Sequence, residues 1–515
     1  MKLGQRPSSS VLVFAILWLA MAVTFVICRA RTGGTFVYPL DDSYIYLALA
    51  KNIAEHGVYG VTQYEFTPAS SSIVWPILLL AVRAITKNEL GPLLLNVVFA
   101  SVLARVLDVL LAEEGYGPKV RVAVVLGILF ALPIFPIVFV GMEHTLHVLS
   151  VLLLVHAAVR VLAATPSEAT SGAVLGRVAL LAMLSTGARY ESLFVVGTLG
   201  LLALCRRRLS LAFALGIGGS IPVVAYATFS LARGGPVFPI SVLIKRNDLH
   251  AWSFLPTMGS RLVGNPHLLA LLVLLSFFYF AGTSDVEGRP GAFWERRRLM
   301  LLVAGAVIVL HVVFAQMGWL YRYEAYAMAL GLVALAGPLH AYRARLGLVV
   351  PLALAMVPVV MRGAHAVRAV PAASGNIYEQ QMQMARFVSQ YYGGGSVVLN
   401  DIGAVTYLAD VHIVDIHGLG SPSVANLLLR GGFDRDATER LTREASIAIV
   451  DASYSAPPQW RQIGLWQTPD NIVCGDDRVS LYAIHPQDEA YLTASLREFS
   501  SRLPVGMGQS GPYTR

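Results

Sequence analysis

Two adjacent carboxylates open the chemistry-bearing part of this chain, in the run Tyr38-Pro39-Leu40-Asp41-Asp42-Ser43-Tyr44-Ile45-Tyr46. Ile45, Leu49 and Ile53 then recur every four residues, which predicts a helix with one apolar stripe lying on a membrane surface. One aspartate suffices to cap that helix, and a second negative charge favours its positive end. A pair exceeds what capping needs, and a carboxylate at the boundary of water and lipid can act as a general base or bind a cation. The second acidic spot is Gly141-Met142-Glu143-His144-Thr145. There Glu143 either opens the next helix or approaches the aspartate pair, orienting a substrate hydroxyl or sharing a metal. His144 is either a ligand or a plain hydrogen-bonding residue. Arg189-Tyr190-Glu191 interrupts an apolar run, and charges at membrane depth are costly enough to pair with each other or face an aqueous cavity. An Arg189–Glu191 ion pair is one reading; an anionic ligand group meeting Arg189 from the lipid is the other. Lys245-Arg246, after Phe238-Pro239-Ile240-Ser241, and Arg322, within Trp319-Leu320-Tyr321-Arg322-Tyr323-Glu324, stand as cations beside aromatics. Snorkelling anchors account for them equally well. Acids at the membrane surface with cations on several outward turns suit a reaction whose leaving group is a phosphate held at the bilayer boundary.

The elements that must position these residues follow from composition. Of 515 residues, 56% are hydrophobic and 14% charged, against roughly 45–50% and about 25% in an ordinary soluble domain. With a mean hydropathy of +0.63, lipid must solvate much of the surface. The net charge of +8 comes without basic runs interleaved with aromatics on a polar face, which argues against nucleic acid. Apolar runs able to cross a hydrocarbon core about 30 Å thick occupy residues 10–28, 90–112, 120–140, 145–162, 209–232, 267–283, 299–317, 325–340 and 346–361. The first reads as an uncleaved anchor, because Cys28-Arg29-Ala30 makes a poor cleavage site. Residues 179–205, broken at 186–191, are expected to make two passes. Residues 70–86, with Pro76 and Arg83, are expected to lie in the interface.

That arrangement predicts about eleven transmembrane helices. It puts Lys119/Arg121, Arg160/Arg177, Arg206-Arg207-Arg208, Arg289/Arg296-Arg297-Arg298 and Arg343/Arg345 on the cytoplasmic side. The expected protein is therefore a multi-pass protein of the cell inner membrane. Residues 1–361 form the transmembrane module, with 29–89 as a first extracytoplasmic loop carrying amphipathic helices. Residues 362–496 form an extracytoplasmic α/β domain and 497–515, rich in Gly, Ser and Pro, a disordered tail. Short apolar strands at 395–400, 412–416, 447–451 and 481–485 alternate there with helical stretches at 377–391, 424–430 and 436–444. No Gly-rich phosphate loop follows any strand, so this domain reads as a lid or acceptor-recognition module. Cys28, Cys205 and Cys474 form no metal-ligand or disulfide pattern.

Asp41-Asp42-Ser43-Tyr44-Ile45 with Ala50-Lys51-Asn52 and Glu55-His56-Gly57, then Gly141-Met142-Glu143, residues 186–191, and Asn400-Asp401-Ile402-Gly403-Ala404 running to Val414-Asp415-Ile416-His417-Gly418-Leu419, stand in an informative order. Together they resemble the GT-C superfamily of integral-membrane glycosyltransferases, nearest to its bacterial arabinofuranosyltransferase-like and protein-mannosyltransferase-like branches. The resemblance implies a GT-C fold and a polyprenyl-phosphate-linked sugar donor. It implies a cell-envelope acceptor outside the membrane, whether glycan, lipid or protein, and a first-loop acid as base. Carried over, Asp41 or Asp42 takes the proton of the acceptor hydroxyl, which displaces the lipid phosphate at the anomeric carbon, usually with inversion. Glu143 joins them as a catalytic acid. Arg189, Lys245 and Arg322 stabilise the phosphate, and His144 and Glu191 belong to the same substrate-binding group. No cofactor is expected, a divalent cation at Asp41, Asp42 and Glu143 being the alternative. Ala188-Arg189-Tyr190 and Pro239-Ile240-Ser241 stand where such relatives often carry Arg-Pro and Pro-Asn-Thr, so hexosyl and pentosyl transfer both stay open.

Two other classes compete. A transporter or flippase of lipid-linked or envelope precursors predicts paired repeats with mid-bilayer charges in both halves, whereas the acids here cluster in the first two outer loops. A membrane sensor would need a cytoplasmic output domain, and none is legible.

Overall fold

The computed structural model describes residues 8–164, 170–244, 254–281, 291–342 and 346–514. The chain begins with α1 (Ser8–Arg31), α2 (Asp42–His56), α3 (Val74–Ile85), α4 (Gly91–Glu113), α5 (Pro118–Ala131), α6 (Ile134–Phe139) and α7 (His144–Ala163). It continues through α8 (Gly172–Ala188), α9 (Ser192–Cys205), α10 (Leu209–Leu231), α11 (Ile240–Ile244), α12 (Phe254–Gly264) and α13 (Pro266–Ala281). α14 (Gly291–Phe314), α15 (Ala325–Ala341) and α16 (Leu346–Glu379) complete the helical part. On length and composition α1, α4, α7, α10, α14 and the helix beginning with α16 can cross a membrane, and α12 with α13 adds a further span bent by 105°. Apolar side chains such as Trp18, Leu19, Phe213 and Phe280 stand exposed on their outer faces, as lipid contact requires.

α3 has 12 residues, about 18 Å of helix at 1.5 Å per residue, too short to cross. It packs on α2. α8 and α9 meet at Arg189-Tyr190-Glu191 and fold back as a hairpin. Arg206 at the far end of α9 donates to the Leu162 carbonyl (3.1 Å) and Arg208 to that of Ala164 (2.6 Å), at the end of α7. Small residues let α8 lie close to α10: a Cβ on Gly218 would come within 2.2 Å of the Ala179 carbonyl oxygen. The apolar run 120–140 is split at Leu132-Pro133 into α5 and α6.

α16 has 34 residues, about 51 Å, more than the bilayer takes up, so it runs on into the C-terminal domain. The boundary expected at 361/362 thus falls inside one continuous helix. Beyond it lie α17 (Gln381–Tyr391), β1 (Ser396–Leu399), α18 (Gly403–Leu408), β2 (His412–Asp415), α19 (Pro422–Leu429), α20 (Arg435–Leu441), β3 (Ile447–Asp451), β4 (Arg461–Gln467), β5 (Arg478–Ala483), α21 (Glu489–Phe499) and β6 (Gly508–Ser510). The sheet order is β2-β1-β3-β5-β4-β6, with β1, β2 and β3 parallel and the rest antiparallel. The expected disordered tail at 497–515 is corrected by this sheet. Residues 497–499 close α21, β6 pairs with β4 through three residues, and Tyr513 is buried beside Gly464, so the tail is ordered against the sheet.

Candidate active site

α2 delivers the aspartate pair to the junction between helical bundle and α/β domain. Asp41 makes no side-chain cap on its own helix. Its carboxylate instead accepts the backbone amides of Gly403 (2.6 Å) and Ala404 (2.8 Å), which open α18 of the other domain. The approach is so close that a Cβ on Gly403 would sit 2.1 Å from the Asp41 carbonyl oxygen. Around this contact Lys51 donates to the Tyr407 carbonyl (3.0 Å), Gln63 and Tyr64 donate to Asp410, and Tyr64 stacks on His412 with centroids 3.7 Å apart. Burial, and then the neighbouring Asp401, push the Asp41 carboxyl up to about 8, against the pull of the two amides.

Asp42 has a different partner. Its side chain, 28% exposed, pairs with Arg322, which is 1% exposed. Arg322 also meets the Met142 sulfur and the Tyr323 hydroxyl, while its buried Nε has no partner among the described residues. The turn carrying it is unusual. Gly318, Trp319, Leu320 and Tyr321 all have positive φ, at about 1–2 kcal/mol for each non-glycine residue. Two ties hold that turn. The Gly318 amide donates to Glu324 (2.9 Å), and Arg362 on α16 donates to the Tyr321 carbonyl and to Glu324 (both 2.7 Å).

Glu143 does not reach the aspartates. It is fully buried, with Oε1 2.6 Å from Arg189, and its Oε2 has no hydrogen-bond partner among the described residues. Glu191 holds the other side of the same guanidinium at 2.7 Å. Both readings of the interrupted helix are thus narrowed, since Arg189 is shared by two carboxylates. His144 is buried with its ring edge-on to Tyr323, whose face lies 5.5 Å from the Arg189 guanidinium and 4.9 Å from that of Arg322. Lys245 lies outside the described residues. No three His, Cys, Asp or Glu side chains among the described residues are grouped to hold a metal ion, and Asp41, Asp42 and Glu143 each face a different partner.

Two cavities open here. One of about 360 Å³ is lined by Asp41, Asp42, Trp319, Arg322, Asn400 and Asp401, among others. Asp415 and His417 belong to the same wall. The second, about 160 Å³, is lined by Ser71, Arg189, Glu191 and Ser241, and shares Gln316 and Tyr323 with the first. Sequence reasoning missed Glu324 and Arg362, which lie on separate elements, and gave no ligand role to Asn400, Asp401, Asp415 or His417. Their signal was position: Asn400-Asp401 follow β1 and Asp415 closes β2, at the carboxyl ends of parallel strands where open α/β sheets bind ligands.

Residues 375–482 match a family described only as a domain of unknown function, DUF8728. No curated protein matches the chain. Among solved structures, ArnT from Cupriavidus metallidurans bound to undecaprenyl phosphate superposes with a TM-score of 0.53 at 13% identity, over 92% of this chain and 99% of that one. The chain has the GT-C fold. ArnT in the apo state aligns with a TM-score of 0.51 at 14% identity, over 92% of this chain and 98% of that one. The GT-C fold is a polytopic bundle of apolar helices, here with a small C-terminal sheet domain, as the sequence led one to expect.

Proposed function

We propose that this protein is a membrane glycosyltransferase that moves a sugar from a polyprenyl-phosphate donor to an extracytoplasmic acceptor hydroxyl, with Asp42 as general base. Its cavity and α/β domain then stand outside the inner membrane. The observation that carries this reading is the difference in partners between the two aspartates. Both line the cavity, but Asp41 gives its two oxygens to backbone amides of the other domain, whereas Asp42 is held there by Arg322. ArnT, which shares the fold, has been captured with undecaprenyl phosphate.

In the proposed step the acceptor O–H gives its proton to Asp42, and its oxygen forms a bond to the anomeric carbon. The bond from that carbon to the phosphate oxygen breaks, and the electron pair leaves with the polyprenyl phosphate. Arg322, whose Nη2 holds Asp42 and whose buried Nε has no partner among the described residues, lends its positive charge to offset the negative charge developing on the leaving phosphate. Arg189, compensated by Glu143 and Glu191, shapes the adjoining cavity through which the donor phosphate approaches. Hexosyl or pentosyl transfer is decided by the donor.

The test is incubation of purified protein in lipid with a panel of radiolabelled polyprenyl-phosphate sugars and envelope extract. Transfer from at least one donor, lost by about 100-fold or more in Asp42→Asn, supports the reading. Full turnover by that variant removes Asp42 as base. Donor movement across the bilayer without any transfer favours a flippase.

A further inference from the structure

The cavity beside Asp42 has a second wall, built by the α/β domain, and the reaction step uses none of it. Its groups differ in how well they are satisfied. Asp415 gives both oxygens to backbone amides, Oδ1 to His417 (2.8 Å) and Oδ2 to Gly420 (2.7 Å), so it shapes its own loop. Asp401 accepts from Gln381 (2.8 Å) and Asn400 (3.4 Å) through Oδ2 alone, which leaves Oδ1 without a donor among the described residues. Asn400 is 7% exposed, and its Oδ1 is buried with no partner among the described residues. A buried carbonyl oxygen lacking a donor is unfavourable unless a ligand supplies one. Trp319, 52% exposed on the left-handed turn, lines the same cavity.

We propose that this wall is a subsite for a sugar of the acceptor. Neighbouring hydroxyls donate to Asn400 Oδ1 and Asp401 Oδ1, and the apolar face of the ring packs on Trp319. The proposal rests on the glycosyltransfer reading and names the acceptor class for it. Three observations favour a carbohydrate. The unsatisfied groups are adjacent acceptors, which a vicinal diol matches donor for acceptor. An aromatic face in the same cavity suits a ring that is polar at its edge and apolar on its face. A volume of about 360 Å³ lies in the usual range of ligand pockets, about 300–1,000 Å³, and admits a saccharide unit with its neighbour. A protonated amine is the competing occupant, because Asp41, Asp42, Asp401 and Asp415 line the cavity against the Arg322 guanidinium, and a diamine therefore serves as the control ligand. A sugar seated there brings another of its hydroxyls to Asp42 on the opposite wall. Both acceptor residues fall within 375–482, so the matched domain of unknown function acquires a role in recognising the acceptor.

Saturation-transfer NMR on the full-length protein in detergent tests this with methyl α-D-mannopyranoside, methyl α-D-glucopyranoside and methyl α-D-arabinofuranoside. At least one should bind saturably. Asp401→Asn, which keeps the oxygen for Gln381 and turns an amide toward the sugar, should weaken it about tenfold or more. Trp319→Ala should do the same while Trp319→Phe retains binding, with unchanged elution and thermal midpoint as the folding control. Absence of binding by all three glycosides, or binding indifferent to both Asp401→Asn and Trp319→Ala, overturns the subsite. So does preferential binding of cadaverine that is lost in Asp401→Asn. Glycoside binding that persists in Asp42→Asn, together with no transfer from any donor, leaves the subsite standing and fells the transfer reading instead.

Discussion

The bundle carries charge at both ends, and the two ends are built differently. At the end where α4 and α7 finish and α14 begins, Arg296 reaches Glu113 and Glu114 (each 3.0 Å), Arg297 reaches Glu114 (2.7 Å) and Arg160 reaches Glu113 (3.4 Å). The cavity beside them holds about 30 Å³, room for a water molecule or two. At the other end Asp42–Arg322 and Glu143–Arg189–Glu191 are paired as closely, yet they border cavities of about 360 and 160 Å³. Pairing alone therefore does not distinguish a staple from a site. Open space beside a partly exposed carboxylate does, and the α/β domain supplies half of the enclosure.

Substitutions at the two ends should fail in opposite ways. Asp42→Asn should cost transfer about 100-fold or more and leave the thermal midpoint in place; retained turnover would make the cluster around Asp42 as structural as the one around Glu114. Arg322→Lys should follow, with kcat/KM lower by about tenfold, because a point charge cannot both hold Asp42 and offset the phosphate's charge in the way a planar fork does. An unchanged donor dependence in that variant would move that stabilisation elsewhere. Glu114→Gln should invert the pattern, lowering the midpoint by about 1 °C in a chain of this length with kcat unaltered, since a partly exposed network pair is worth about 1 kcal/mol. Loss of transfer in a well-folded Glu114→Gln protein would break the contrast between the two ends.

Periodicity and composition carried the fold a long way. Apolar runs marked the bundle, a Thr-Gly-Ala-Arg-Tyr-Glu interruption marked the α8–α9 hairpin, and four short apolar runs marked β1, β2, β3 and β5. The strand β4, where Arg461, Gln462 and Gln467 flank a short Ile463-Gly464-Leu465-Trp466 run, and the edge strand β6, Gly508-Gln509-Ser510, escaped because polar residues and glycine leave too little apolar pattern to mark them. For the site, residue type pointed to Asp41, Asp42, Arg189 and Arg322, but not to partners hundreds of residues away. Nothing local distinguishes Asp41 from Asp42; only the position of α18 does. The tie from Arg362 to the strained turn at 318–321 is likewise a tertiary fact, since a lone Arg inside an apolar helix reads equally well as an anchor.

The gentlest test of the contrast lies within the aspartate pair itself. The folded protein holds the Asp41 carboxyl at about 8, raised by burial and by Asp401, while an unfolded chain releases that proton in the ordinary carboxylate range. Between those values the native state binds more proton than the unfolded one, so this group's contribution is full at low pH and is lost as pH rises through about 8. Thermal midpoints measured from pH 5 to pH 9 should thus decline for the wild type, and Asp41→Asn, which cannot titrate, should show a flatter profile. The same variant should keep most of its transfer activity at pH 7, because an amide oxygen can still accept the Gly403 or Ala404 amide and hold α18 against α2. An equal pH slope in both proteins would place the titrating group elsewhere in the acidic cavity. A collapse of activity in Asp41→Asn to the level of Asp42→Asn would mean that the two carboxylates act together, and the division of labour between domain latch and base would have to be given up.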